Sequence, residues 1–396
     1  MPDAKSNADA LLKSVMEKRA PEPYSPGLEG VVAAKSKLCS IDGAAGKLYY
    51  LGYPIEEIVN GSATYEEIAY MFWHGRLPNT KELETFKDEL AKSRSLPQQV
   101  MDFIKLLPHT CHPMDALRTI VSLLSAFDHN PERSPEANLD RAIALTVRFP
   151  TIVAAFHRLR QNQAPVEPDP KLSHAANFLY MLFGEKPDET TAKVMDVAMV
   201  LHLDHEMNAS TFSSLVTAST LSDLYSAISA GVGTLKGPLH GGANEAVLKM
   251  LLEIGDPDRV DAYVDDALAK KKKIMGFGHR MYKAYDPRAR LLKEYARRAS
   301  EKTKSSRLFQ ITEKIEAVMI QKKGKQGIFP NVDLYSGIIY HQMGIPTDIF
   351  TPIFAIARVA GWTAHVLEYW QENRLFRPNA LYEGPAARKF PPLAQR

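Results

Sequence analysis

The sequence predicts an all-α protein made of a large helical domain and a smaller one, with one small β-hairpin near the N-terminus. Three observations predict it. Apolar residues recur at helical spacing in one segment after another from Ser62 onward. Only around Asp42-Gly43 do β-prone runs flank a turn dipeptide. Between about 238 and 345, Gly-rich turns and surface charges replace the apolar texture on either side. With 396 residues, 45% hydrophobic and 24% charged, the chain can bury a large core without staples.

The elements follow in order. Met1 to Pro26 mixes both signs of charge and shows no basic stretch followed by an apolar one, so no secretory signal is expected. Residues 30–52 read as the hairpin. Thr64-x-x-Glu67 is a capping box; Ile68, Met71 and Phe72 then share a face, and Gly75 stops the helix. Leu117, Ile120, Val121 and Leu124 repeat the helical spacing. Leu139–Arg160 is helical by pattern, but Pro150 should kink or split it. Leu172–Phe183 stops at Gly184, and Thr190–Leu203 is apolar almost all round, as a buried helix is. Between Met207 and Leu235 the only charge is Asp223; the small residues there suit close helix packing in the core or at a subunit interface. Ile353–Gln371 is a long apolar helix, and the Pro-rich tail after Arg374 is expected to wrap a surface. No apolar run approaches ~18 residues, so no membrane span is expected.

Lys+Arg is 49 against Asp+Glu 46, a net +3 that offers no nucleic-acid-binding field. Cys39 and Cys111 are the only cysteines and lie far apart, which favours a reducing compartment, the cytoplasm.

Several motifs carry little. Gly231-Val-Gly233-Thr-Leu-Lys236-Gly237 imitates a dinucleotide loop but has Lys236 at the third glycine and no preceding strand. His109-Thr-Cys111-His112 has no second ligand pair at zinc-finger spacing and reads as a turn before Pro113. In His202-Leu-Asp204-His205-Glu206, a helix would put His202 and Glu206 on one face; a substrate contact or buried network is favoured over a metal. Lys270–Lys273 reads as a solvated face.

Three segments carry more. In Gly237-Pro-Leu-His240-Gly-Gly-Ala-Asn-Glu245, His240 sits just before a helix starting at Ala243, whose positive end keeps the imidazole neutral and able to donate. Gly276-Phe-Gly278-His279-Arg-Met-Tyr-Lys283, continuing to Asp286-Pro-Arg288, joins close-approach glycines to a histidine and anion-binding cations. Asp333 opens a helix running to Met343, where a capping role competes with a chemical one. Arg358 lies within an apolar helix with no carboxylate at i±3 or i±4, so its partner is distant or an anionic ligand.

These motifs, taken in order from about Gly27 to Tyr382, resemble the citrate synthase family in its short bacterial form. Phe354-Ala-Ile-Ala-Arg358-x-x-Gly-Trp and Arg377-Pro378 complete the set. Met281 stands where the family usually has Val or Ile, Lys322–Gln326 lengthens a connection, and Asn379 replaces an arginine of some relatives. The resemblance implies a large domain of 1–241 and 346–396 and a small domain of 242–345. It implies condensation of acetyl-CoA with oxaloacetate and hydrolysis of citryl-CoA, with Asp333 as base and His240 and His279 as hydrogen-bond donors. His205, Arg288, Phe354, Arg358 and Arg377 would bind oxaloacetate, Arg377 reaching in from the other subunit of a homodimer, with assembly beyond the dimer left open. Ile274, Met275, Gly276, Gly278 and Lys283 would meet CoA. No metal or cofactor is implied, acetyl-CoA being a substrate, and no nucleic acid or membrane partner. The alternative is 2-methylcitrate synthase acting on propionyl-CoA, a difference of one methylene worth only ~1–3 kcal/mol. A metal-dependent hydrolase built on His202–Glu206 and a non-catalytic helical assembly are the readings from other classes.

Overall fold

The computed structural model describes residues 24–302, 306–385 and 387–396. The stretch expected to be loose, Met1 to Pro26, lies outside the described residues up to position 23. Residues 36–375 form one compact body. It begins with a three-stranded antiparallel sheet, β1 (Cys39–Asp42), β2 (Lys47–Tyr50) and β3 (Tyr53–Pro54), in that order. Cys39 pairs with Tyr50 and Asp42 with Lys47, so the hairpin forms as expected. The third strand adds only two residues beyond the turn at Leu51-Gly52, too short to leave a pattern in the sequence.

Sixteen α-helices occur among the described residues. The first eight are α1 (Ile55–Asn60), α2 (Tyr65–His74), α3 (Thr80–Lys92), α4 (Gln98–Leu106), α5 (Pro113–Leu124), α6 (Pro135–Arg160), α7 (His174–Phe183) and α8 (Glu189–His202). Then come α9 (Ala209–Ala218), α10 (Leu224–Leu235), α11 (Ala243–Ile254) and α12 (Val260–Ala269). The last are α13 (Pro287–Lys302), α14 (Ser306–Lys323), α15 (Asp333–Gln342) and α16 (Phe350–Gln371).

The stop and start signals act as chemistry requires. Thr64 accepts the Glu67 amide, and Gly75 and Gly184 take the left-handed conformation after α2 and α7. Asn79 and Glu82 form a full reciprocal capping box. Of the two outcomes expected at Pro150, a kink or a split, the split does not occur: its surroundings are buried, and packing against α5, α7 and α16 holds the turn that lacks one backbone hydrogen bond. The segment 207–235 is a pair of helices, α9 and α10, packed on each other and on α16. The Gly231–Gly237 imitation of a dinucleotide loop is the end of helix α10 and the turn after it.

Helix α16 is the axis of the body, with every residue from Phe350 to Val366 buried. It and α6 are long and apolar enough to cross a membrane by length and composition, although neither holds an unbroken apolar run; both are buried core helices. Residues 24–35 and the described part of 376–396 belong to a separate compact unit with two short 3-10 turns, Pro26–Leu28 and Leu393–Gln395.

Inside the core, Glu66 and Asp196 are two buried carboxylates, 1% and 5% exposed. Glu66 accepts the His174 amide at 2.7 Å and Asp196 the Tyr65 amide at 3.0 Å, yet each keeps a second oxygen without a hydrogen bond. Burial, then the neighbouring Glu66, pushes the Asp196 carboxyl well above the usual range. A folded-state pKa above the unfolded one means the stability is fully present in acid and lost as pH rises toward neutrality and beyond. Asp196→Asn keeps the oxygen that accepts from Tyr65 and removes the charge. It is expected to stabilise the protein by about 1–3 kcal/mol at pH 8 and by much less at pH 5. Urea denaturation at the two pH values checks this; equal effects at both would show that no ionisation cost is stored there.

Candidate active site

The site is built around the C-terminal end of α8. That helix stops at His202, and Leu203 to Met207 form a turn in which Glu206 takes a positive φ of 53°. His202 and Glu206 therefore do not share a helix face as the sequence reading supposed. The Asp204 carboxylate is buried, accepting from His365 Nε2 at 3.1 Å and the Glu206 amide at 3.2 Å. The Tyr50 hydroxyl closes the other side, accepting the Asp204 amide at 3.2 Å. Helix α16 can approach this turn because position 361 is glycine: a Cβ there would collide with the Leu203 carbonyl oxygen.

His205 projects from this turn. Its ring meets that of His279 edge-on at 4.9 Å, and its Nε2 lies 3.2 Å from the Tyr282 hydroxyl. Burial first, then the cations Arg288 and Arg358, push its pKa well below the ordinary value. Arg358 is 1% exposed and has no ion pair among the described residues. Its Nε donates to the His202 carbonyl at 2.7 Å, its guanidinium lies over the Phe354 ring at 4.8 Å, and Nη2 has no hydrogen-bond partner. Phe354 also meets the rings of His202 at 4.9 Å and His240 at 6.4 Å.

His240 lies in the turn before α11 as expected. Its Nε2 is 2.8 Å from Ser210 Oγ, which in turn accepts Trp362 Nε1 at 3.1 Å. Its pKa falls to about 4 through burial and then Arg358. The imidazole is neutral, as the helix-end argument held, but the cause is desolvation and a neighbouring cation.

A second set of bonds ties the loop just before His279 to the segment just before Asp333. Gly278 N donates to Phe329 O at 2.8 Å, Asn331 N to Gly276 O at 2.9 Å, and Asn331 Nδ2 to Gly278 O at 3.0 Å. These bonds clip 276–278 to 329–331. Gly276 and Gly278 need their glycines here, with φ of 82° and 83°. The same bonds occupy backbone groups of both glycines that the sequence reading offered to CoA, while Ile274 is buried and Met275 half-buried beside them. His279 Nδ1 accepts the Met281 amide at 3.0 Å and the Tyr282 amide at 3.4 Å, so the ring proton resides on Nε2. Burial and then Arg288 lower its pKa to about 4.

Asp333 is the first residue of α15, and its side chain makes no capping bond. The cap is Asn331, whose Oδ1 accepts the Asp333 amide at 3.1 Å. Capping is thereby removed as an explanation of Asp333. Burial raises its carboxyl to about 6, against the opposing pull of Arg288. Arg288 is buried and paired with Asp286, Nη2 to Oδ2 at 2.8 Å and Nε to Oδ1 at 3.1 Å, while Asp286 also accepts the Val332 amide at 3.2 Å. Asp286 thus ties Arg288 to the start of α15. The sequence quoted Asp286 within a motif without a role, and Ser210, Tyr282 and Asn331 carried no distinguishing signal.

Lys283 has an exposed side chain, and Lys270–Lys273 is an exposed run in which Lys270 pairs with Asp266 at 2.8 Å. Arg377 belongs to the separate unit, exposed, with Nη1 donating to Pro378 O at 2.7 Å. His112 caps α5 through its Nδ1, consistent with a structural turn.

A mostly helical body with two neutral imidazoles, a raised carboxyl and two buried guanidiniums has the groups that an enzyme for anionic substrates needs. Residues 27–379 match the family described as "Citrate synthase, C-terminal domain". Citrate synthase 2 of Bacillus subtilis is 48% identical over 372 residues, 93% of this chain and 98% of that protein. The citrate synthase of Haloferax volcanii is 47% identical over 376 residues, again 93% and 98% of the two chains. A solved ternary complex of carboxymethyl coenzyme A and oxaloacetate with citrate synthase from Thermoplasma acidophilum is 40% identical, with a TM-score of 0.91 over 95% of this chain and 100% of that one. The chain belongs to the citrate synthase family and is an acyltransferase with citrate synthase activity.

The imidazole states are measurable directly. Nitrogen-15 NMR of labelled histidines is expected to show His240 and His279 neutral at pH 6, with His279 in the Nε2–H form. An imidazolium signal from either ring at that pH would contradict the burial argument.

Proposed function

We propose that Asp333, His240 and His279 perform the condensation of acetyl-CoA with oxaloacetate, and that Arg288 and Arg358 hold the oxaloacetate carboxylates. The observation that carries this reading is Arg358: a guanidinium buried in an apolar helix, with Nη2 unpartnered and a second buried cation close by. Such a charge is costly unless an anion answers it. His205 and Phe354 line the same place and would orient the substrate.

The steps follow from the proton positions. Asp333, with a pKa near 6, is ionised at neutral pH yet basic enough to take a proton from the acetyl methyl group. The electron pair moves onto the thioester oxygen, where neutral His240 donates a hydrogen bond. Ser210 holds the ring in place: its Oγ lies 2.8 Å from His240 Nε2, accepts Trp362 Nε1 at 3.1 Å and donates to Asn208 Oδ1 at 2.8 Å. The enolate carbon attacks the keto carbon of oxaloacetate, and His279 Nε2–H donates to its oxygen as the alkoxide forms. Water then cleaves citryl-CoA to citrate and CoA.

The domain division at 241/242 and 345/346 suits this reading. The Thr351 hydroxyl donates to the Gly241 carbonyl at 3.2 Å, so the two crossings of the chain lie side by side, as a hinge requires. Half-buried small residues on α9 and α10, among them Ser213, Thr217, Ala230 and Gly233, offer a face for a homodimer. Arg377 would then reach the site of the other subunit. Ile274, Met275 and Lys283 remain the CoA contacts of choice, and the two free cysteines suit the cytoplasm.

A thiol-release assay tests the reaction. Free CoA should appear with oxaloacetate and acetyl-CoA, in the presence of a chelator, faster than with propionyl-CoA. The reverse preference would assign 2-methylcitrate formation instead. Asp333→Asn is expected to lower kcat about 10²–10⁴-fold with little change in thermal stability, and the wild-type rate should fall as pH drops through about 6. Near-normal turnover in the folded variant would remove Asp333 as the base. Arg358→Leu should fold and raise KM for oxaloacetate about 10²-fold, by loss of a charge-assisted contact. Calorimetry with oxaloacetate checks this; unfolding of the variant would point to an internal role for the guanidinium.

A further inference from the structure

We propose that the turn between β1 and β2 is a latch for the loop that carries His279, and that Gly43 is the positioning residue that lets the latch seat. The inference rests on the reading of His279 as a hydrogen-bond donor to oxaloacetate.

The orientation of His279 is set by the backbone just after it, through the Met281 and Tyr282 amides that its Nδ1 accepts. That backbone is held from its far side by the sheet. Lys283 N donates to the Gly43 carbonyl at 2.9 Å, a bond spanning 240 residues of sequence. Gly43 lies so close to Met281 that a Cβ would overlap the Met281 carbonyl oxygen and stand 2.9 Å from its carbon. Gly46, at the other end of the same turn, would place a Cβ 2.8 Å from the Tyr285 carbonyl oxygen and 3.1 Å from Ala284 Cβ. The neighbours are backbone atoms at both ends, which cannot rotate aside. Two glycines in one tight turn thus face both ends of the stretch 281–285.

The turn is itself braced. Asp42 Oδ1 accepts the Ala45 amide at 2.9 Å, Lys47 pairs with Glu56 at 3.0 Å, and Tyr50 of β2 is bonded to Asp204, next to His205. The hairpin therefore links two histidines that approach one another from different parts of the chain. With the latch seated, Met281 and Tyr282 keep Nδ1 an acceptor and Nε2 the donor. With it unseated, the loop loses its far anchor and the donor its fixed direction.

Gly43 is a clean probe because it does not have a positive φ, whereas Gly46 does, at 64°. Alanine at 43 introduces only the collision. Gly43→Ala is expected to melt within a few degrees of the wild type and to lower kcat about 10- to 100-fold, the scale of a small misplacement of a reacting group. KM for oxaloacetate should rise while that for acetyl-CoA changes less, and the His279 nitrogen-15 signals should report mixed tautomers. Ala44→Ser, exposed in the same turn, should leave all of these unchanged. Hydrogen exchange on the wild-type enzyme adds a test independent of any variant: the Lys283 amide should be protected, and more so with oxaloacetate bound. Wild-type kcat and KM in Gly43→Ala, or an unprotected Lys283 amide in the oxaloacetate complex, would overturn the latch. His279→Ala separates the two levels. If it retains full activity, the role of His279 fails; if it is inactive while Gly43→Ala is normal, only the latch fails.

Discussion

A guanidinium in the middle of helix α16 is the constraint from which the rest of the site follows. Arg358 enters the core on an otherwise apolar helix, and its charge cannot be left unanswered at low dielectric. The protein answers it only in part, with a carbonyl at the end of α8 and the face of Phe354. Asp204 is near enough to favour the charged form; its Oδ2 is taken by His365 and the Glu206 amide, and its Oδ1 makes no hydrogen bond. Arg358 Nη2 is left without a hydrogen bond, and Phe354, over which the guanidinium lies, also meets the His240 ring. Burial first, and then Arg358 at His240 and Arg288 at His279, keeps the nearby imidazoles neutral. Anion binding and donor chemistry thus draw on the same buried charges.

Geometry at the backbone makes that placement tolerable. Glycine at 361 lets α16 touch the turn 203–206, and glycine at 231 leaves room for the Trp362 ring, whose N–H then fixes Ser210. The small residues of α9 and α10 therefore do more than allow close packing. They admit a large aromatic next to the serine that meets His240 and hold it by one hydrogen bond. On the other side of the site, Asn331 supplies the cap of α15 and the clip to Gly278, which frees Asp333 from both duties.

Most of the helices were legible because periodicity and stop signals are local. Gly75, Gly184 and the apolar stripe of α5 act where the sequence places them. The failures have physical causes. The split signalled at Pro150 is overruled by packing on several sides, and β3 is too short for any pattern. The supposed helical face of His202 and Glu206 was lost because the helix ends at a left-handed turn that no glycine announces. Within the site, the charged members and the histidines stood out as exceptions to their surroundings, Arg358 above all. Ser210, Tyr282 and Asn331 did not, because a serine, a tyrosine or an asparagine is unremarked until its partner across the fold is known.

The split between one raised carboxyl and two lowered imidazoles bears on the roles proposed for them. Burial makes Asp333 more basic than an ordinary carboxylate and the two imidazoles less basic than an ordinary histidine, so at neutral pH the carboxylate holds no proton and each ring holds one. A base that is basic for a carboxylate and donors that are reluctant to become cations suit a reaction in which a proton leaves carbon while negative charge appears on oxygen. Imidazolium donors would bind the ground-state anions more tightly and gain less as charge develops. Burial, which costs stability at each of these groups, is what gives them the protonation states the chemistry needs.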